Sequence, residues 1–276
     1  MALAEQEIDR IAERVAERVA ALALSTRFRP TTRRIADETV ECVECDDAPV
    51  LYHRTTLKGA AAIAENGHLR PSKDTGVISY SASPEHTFGG TVKFPFKRED
   101  VGPLRPMCYA SGEAYRKASN IRDEKAQREG ISLDAASAQL AFSPEMYVGE
   151  CEQMGSQPVP IRKAQALEYW VHQGSEVIEE VNVGCKRRIP HHISATAWAG
   201  DPWDRQMKRI AQAREVAGRL GLPFRVRSCF PYALISGWGD RYIPLDDANL
   251  ARLERGEEPV VIQNKPPEAA EADCRC

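Results

Sequence analysis

Two places in this sequence bring ionisable side chains close to apolar runs. Glu168 lies inside Leu167-Glu168-Tyr169-Trp170-Val171, where a carboxylate is costly unless it is paired or functional. His53 and Arg54 follow Val50-Leu51-Tyr52, at the exit of an expected strand where a chain reversal can point polar groups into a cleft. Ser79, Ser81 and Ser83 alternate with Tyr80 and Ala82, so their hydroxyls share one face of a strand. Glu150 and Glu152 form a Glu-x-Glu pair. Cys42-x-x-Cys45 has zinc-knuckle spacing, but no second CxxC or HxxxH follows at a matching distance. Cys274 and Cys276 fall on a tail, so no metal site is expected. Lys186-Arg187-Arg188 with His191 and His192 reads as a solvated loop more readily than as a phosphate contact.

The elements that position these residues centre on Val50 to Gly67. This stretch reads as strand, N-cap at Thr55 or Thr56, alanine-rich helix, and a left-handed stop at Gly67. Ahead of it, residues 4 to 24 carry Ile8, Ile11, Val15, Val19 and Leu22 at helical spacing. That helix packs on its own domain in the favoured reading, and on a partner or second copy in the other. The basic run 27 to 34 reads as a linker. Further strands are expected at 77 to 83, at 91 to 96 (where Pro95 suggests a sheet edge) and at 104 to 110. Residues 112 to 141 form a charged, solvated helical insertion with Ser132 at a helix start. Strand-like stretches at 145 to 154 and 177 to 183 flank the segment 161 to 171, which holds Glu168. A charged helix spans 202 to 220 and stops at Gly221; a strand at 224 to 230 and a helix at 245 to 255 follow. From Gln263 the composition is that of a disordered tail.

The bulk composition excludes several classes. With 37 basic and 40 acidic residues the net charge is -3, so no global field draws the chain to nucleic acid and any such contact needs a local patch. No apolar run approaches the roughly 20 residues of a membrane span. Arg10, Arg14, Glu17 and Arg18 interrupt what would be a signal peptide's apolar core. Eight cysteines in 276 residues are sparse, and Cys108, Cys151, Cys185 and Cys229 sit singly in apolar contexts, as buried reduced thiols do. The expected compartment is the cytoplasm, with no membrane partner.

Taken in order, these pieces resemble the ADP-ribosyltransferase superfamily. Tyr52-His53-x-Thr55, with a helix ending Glu65-Asn66-Gly67, is similar to the opening of its His-Tyr-Glu branch. Ile78-Ser79-Tyr80-Ser81 resembles the second strand. Ala164-Gln165-Ala166-Leu167-Glu168-Tyr169-Trp170-Val171 resembles the Glu strand of the DNA-targeting ADP-ribosyltransferase toxins. The resemblance covers residues 48 to 185. It implies an α+β fold with a split β-sheet core and flanking helices, preceded by a helix and linker (1 to 47). A C-terminal extension packed on the core (186 to 262) and a disordered tail (263 to 276) follow. It also implies NAD+ as co-substrate and Glu168 as the catalytic residue. His53 would hold the ribose and Thr55 the neighbouring cofactor contact, with Arg54 or Arg70 on the pyrophosphate and Ser79 and Tyr80 beside the nicotinamide. Tyr109 and Tyr115 compete with Tyr80 for the stacking position.

The chemistry is consistent with those residue types. Cleaving the ribose–nicotinamide bond passes through an oxocarbenium-like centre that a nearby carboxylate stabilises. The resemblance therefore implies a mono-ADP-ribosyltransferase of toxin or phage-defence type acting on a macromolecule. The basic segments 27 to 34 and 186 to 188 tilt the acceptor toward DNA or RNA. A second assignment gives catalysis to the Glu150/Glu152 pair with Arg54 and the serines, as in the Arg-Ser-Glu branch. Two other readings compete: a non-catalytic binding module acting through the 1 to 24 helix, and an NAD+-using transferase on phosphorylated RNA ends.

Overall fold

A computed structural model describes residues 28–35, 38–45, 48–82, 91–110, 112–143, 152–171, 203–228, 232–234 and 242–263. The expected helix at 4 to 24, the strand at 177 to 183, the 186 to 192 basic loop, Glu150 and the tail from 264 lie outside them. The early strands are β1 (Phe28–Ile35), β2 (Glu38–Cys45) and β3 (Val50–Thr55), followed by helix α1 (Leu57–Asn66). Next come β4 (His68–Leu69), β5 (Ile78–Ser81), β6 (Val92–Lys97), β7 (Leu104–Pro106) and β8 (Cys108–Tyr109). Helices α2 (Gly112–Glu129) and α3 (Leu133–Leu140) precede β9 (Phe142–Ser143), β10 (Glu152–Gly155), β11 (Val159–Pro160) and β12 (Leu167–Val171). The remainder is α4 (Trp203–Leu220), β13 (Phe224–Ser228), β14 (Tyr232–Leu234), β15 (Tyr242–Pro244) and α5 (Asp247–Arg255). The fold is mixed α and β. Among the described strands pairing is mostly antiparallel, with β8–β9 and β12–β13 parallel.

The chain forms two compact units that interleave along the sequence. The first draws on described residues within Met1–Leu51, Arg70–Pro84 and Arg98–Val159. Here β1, β2, β8 and β9 form a sheet in that order. Residues 28 to 35 are therefore a strand, where a linker was expected over 27 to 34. Its basic residues hide the periodicity, and cross-strand bonding fixes it: the Arg33 guanidinium reaches Glu44 on β2 and donates to the carbonyls of Pro106 and Ala141. Residues 104 to 110, expected as one strand, divide at Met107. β7 pairs with β10, while β8 joins β2 and β9. Helix α3 is capped as expected, the Ser132 hydroxyl accepting from the Ala135 amide at 3.0 Å.

The first unit's cysteines overturn the reduced-thiol reading. Cys42 and Cys108 are joined as a disulfide, with Cα atoms 5.8 Å apart on neighbouring strands. Strand alternation also explains why Cys42-x-x-Cys45 makes no metal knuckle. An odd spacing on a strand sends the two side chains to opposite faces. Cys42 packs with Ile35, Val40, Cys108 and Phe142, whereas Cys45 packs with Val43, Met107, Tyr109 and Met154. The cytoplasmic expectation thus loses the support of its cysteines. What stands is that no described helix is long and apolar enough to cross a membrane.

The second unit draws on described residues within Tyr52–Leu69, Glu85–Lys97 and Pro160–Cys276. Its strands run in the order β13, β12, β6, β3. The Val50 to Gly67 stretch forms as read. The Thr56 hydroxyl accepts from the Gly59 amide at 3.0 Å, and Gly67 closes α1 at φ 69°. β6 is interior, so the edge inferred from Pro95 is wrong. Pro95 falls where the ladder with β12 is broken: Lys93 opposes Glu168, and the next pair is Phe96 with Ala164, leaving two residues facing three. At such a bulge the missing N–H disturbs no regular bond. Helix α4 packs on α1, β12 and β13, and the Tyr169 hydroxyl donates to Gln206 on α4 at 2.9 Å. On α5, Glu254 accepts the Val226 amide at 2.9 Å and so occupies a backbone donor of β13.

The Cys42–Cys108 bond closes a loop of 66 residues. Cys42→Ser is expected to lower the unfolding free energy by about 2–4 kcal/mol in denaturant titrations. Peptide mapping after maleimide treatment of denatured, unreduced protein should leave both cysteines unlabelled. Labelling of both would overturn the pairing.

Candidate functional site

Glu168 occupies β12, between a parallel neighbour (β13) and an antiparallel one (β6). Directly opposed residues in a ladder share a face. The register puts Glu168 opposite Arg225 and Lys93, and Trp170 opposite Arg227. These five residues therefore gather on one face of the sheet. The alternating residues Val92, Tyr169 and Val226 take the other face, beneath α4.

Burial and polar contacts make this face unusual. Glu168 is only 5% exposed and Lys93 0%. The Trp170 indole N–H donates to Glu168 Oε2 at 3.1 Å. Arg225 Nη1 and Arg227 Nε stand 3.7 and 3.8 Å from Glu168 Oε1, close enough for ion pairing but too far for hydrogen bonds. The Lys93 ammonium lies 3.6 Å above the Trp170 ring, a cation–π contact inside the unit. Tyr52 on β3 belongs to the same field. Burial raises its phenol pKa above the ordinary 10.0, the charge of Glu168 raises it further, and Arg227 and Arg225 pull it back.

The sequence-selected residues separate on this framework. Along β3 the pleat puts Arg54 on the face of Tyr52 and turns His53 and Thr55 to the other. Thr55 Oγ1 lies over the first turn of α1, 2.0 Å from where a Cβ on Gly59 would be, so glycine is needed there. Glu168 and Arg54 thus share a face that His53 and Thr55 do not. Arg70, Ser79 and Tyr80 belong to the first unit. Arg70 is exposed. Tyr80 is 1% exposed in the core, where its ring is closed to a stacking ligand and burial raises its phenol pKa well above 10.0. Its competitor Tyr109 is likewise buried, its hydroxyl accepting the Glu152 amide at 2.8 Å. The side chain of Tyr115 lies outside the description. Ser79 donates its hydroxyl proton to Glu152, and Ser81 opposes Glu152 in register. One serine–glutamate contact of the second assignment is therefore present, in the first unit.

Sequence reading missed Tyr52, Lys93, Arg225 and Arg227. Alternation in Phe224-Arg225-Val226-Arg227 signals a basic strand face, but only strand pairing sets that face beside Glu168. Among the described residues no cluster of His, Cys, Asp or Glu could hold a metal.

The raised phenols carry a pH consequence. Tyr52 and Tyr80 bind their protons more tightly folded than unfolded, so their stability contribution is whole below pH 10 and declines as pH rises above it. Alkaline titration followed by phenolate absorbance should show Tyr52 and Tyr80 among the late-titrating tyrosines. Tyr52→Phe and Tyr80→Phe should each remove one, and Glu168→Gln should move the Tyr52 component to lower pH. Titration of both at the ordinary value would contradict this environment.

Comparison with known proteins adds no relative: no protein-family profile, curated protein or solved structure matches this chain.

Proposed function

We propose that this chain is an NAD+-dependent mono-ADP-ribosyltransferase of toxin or defence type, modifying a macromolecule, with Glu168 as its catalytic carboxylate. The observation that carries the reading is a carboxylate buried on an interior strand, gripped by an indole N–H and flanked by three cations on the same face. In the reaction the bond between C1′ of the ribose and the nicotinamide nitrogen breaks, and its electron pair leaves with nicotinamide. The resulting oxocarbenium-like centre is stabilised by the carboxylate, which also polarises the acceptor nucleophile that then bonds to C1′. Glu168 is itself buried, and the lower local dielectric strengthens that electrostatic effect.

The cofactor assignments follow the sheet faces. Arg54 shares the face of Glu168 and is the candidate for the pyrophosphate. His53 and Thr55 are turned away, so the ribose contact implied by the resemblance finds no support in the pleat of β3. A second reading, with Glu152 catalytic, is favoured by the Ser79–Glu152 hydrogen bond.

Nicotinamide release by the full chain, with NAD+ and added DNA, RNA or lysate, separates the readings. Glu168→Gln is expected to lower release by about 100-fold or more while the melting temperature stays near wild type, and Glu152→Gln is expected to retain release. The inverse pattern would transfer catalysis to Glu152. No release, with no NAD+-dependent rise in melting temperature, would leave the non-catalytic binding module.

A further inference from the structure

The two oxygens of Glu168 are held differently. Oε2 accepts the Trp170 indole N–H at 3.1 Å. Oε1 accepts no hydrogen bond among the described residues, since Arg225 Nη1 and Arg227 Nε stand 3.7 and 3.8 Å from it. The surroundings differ in access as well. The two arginine side chains are 41% and 43% exposed, whereas Trp170 is 6% exposed and Lys93 0%. Oε1 thus neighbours side chains that reach solvent, and Oε2 is bonded to one that does not. The closed side has an order of its own. The Trp170 amide donates to the Thr91 carbonyl at 2.8 Å, so Lys93 lies one diagonal step from Trp170 across the ladder. From there its ammonium sits 3.6 Å from the centroid of the indole ring.

We propose that Lys93 and Trp170 are a positioning pair for Glu168: the ammonium on the ring strengthens the indole N–H that anchors Oε2, and so leaves Oε1 as the working oxygen. A cation on the face of an indole draws π density toward itself. The ring N–H then donates more strongly, as members of a polar chain polarise one another at low dielectric. Ammonium, ring, N–H and carboxylate oxygen form one such chain from β6 to β12. Charge balance alone would need neither the ring under the ammonium nor the N–H on one chosen oxygen. Anchoring one oxygen fixes the plane of the carboxylate, which is what a group acting at a single carbon requires. The inference rests on the transferase reading for what Oε1 does, but the anchoring of Oε2 can be tested without catalysis.

The Trp170 indole N–H reports on both contacts. In proton–nitrogen correlation spectra of the full chain, its proton should resonate downfield of that of Trp203. Trp203 belongs to the same unit, and its Nε1 is buried without a hydrogen-bond partner. Trp170→Phe and Trp203→Phe assign the two signals by their loss. Glu168→Gln should move the Trp170 signal upfield by removing the charged acceptor. Lys93→Met should move it the same way by a smaller step, and Lys93→Arg, which returns a cation to the ring, should bring it back. Lys93→Gln is the second neutral variant, in case the apolar one does not fold. In nicotinamide release, Trp170→Phe should lower kcat about 10-fold or more, the loss of one hydrogen bond to a charged group. The KM for NAD+ and the melting temperature should stay near wild type. The neutral Lys93 variants should follow in the same direction, and Lys93→Arg should recover most of the loss.

A Trp170 signal that does not respond to Glu168→Gln would overturn the pair. So would a signal and a kcat that are both unmoved by neutralising Lys93. Losses of kcat matched by losses of folded protein would also overturn it, because a packing role alone gives that result. Responsive signals without any nicotinamide release would keep the pair and remove the transferase reading. Release by wild type with unresponsive signals would do the reverse.

Discussion

A carboxylate buried on an interior strand must be satisfied by the strands beside it. Glu168 meets that constraint through the indole two residues along its own strand and two arginines on the parallel neighbour, while the lysine in register on the antiparallel strand sits over that indole ring. The carboxylate would not be stable there without such partners, because an unpaired buried charge is strongly destabilising. The arrangement therefore depends on β12 lying between β13 and β6 in one register. A one-residue slip would send Glu168 under α4 and put Tyr169 among the cations.

The two faces of that sheet have separate duties. Val92, Phe94, Tyr169 and Val226 supply the apolar side on which α4 packs, with the Tyr169–Gln206 bond fixing the helix to the strand. The other face carries the charges. The alternation that builds the core thus also groups the site, since every residue adjacent to Glu168 in sequence is excluded from its face. The same rule separates Arg54 from His53 and places Thr55 over α1, where only a glycine at position 59 leaves room.

The first unit is held by different means. Its small sheet has apolar clusters on both faces, one under α2 through Ala118 and one under α3 through Ala138. Arg33 ties three chain segments together through Glu44 and the carbonyls of Pro106 and Ala141. The disulfide between Cys42 and Cys108 adds a covalent link between strands far apart in sequence. Short strands of two or three residues gain little from their own ladders, so such cross-links from side chains matter more here than in the second unit.

The local signals were legible in the sequence. The strand, Thr56 cap, helix and Gly67 stop could be read from residue types, as could the Ser132 cap, the helix ending at Gly221 and the isolation of Glu168 among apolar neighbours. These features depend on contacts within a few residues, which composition and spacing encode directly. Only the tertiary structure decided which strand lies beside which. That pairing made a strand of the basic run at 28 to 35, moved Pro95 from an edge to an interior bulge and joined Cys42 to Cys108. It also brought Arg225 and Arg227, 57 and 59 positions beyond Glu168 in the sequence, alongside its carboxylate. Pairing is settled by the burial of whole faces across long sequence separations, and a single chain read in order carries no direct record of it.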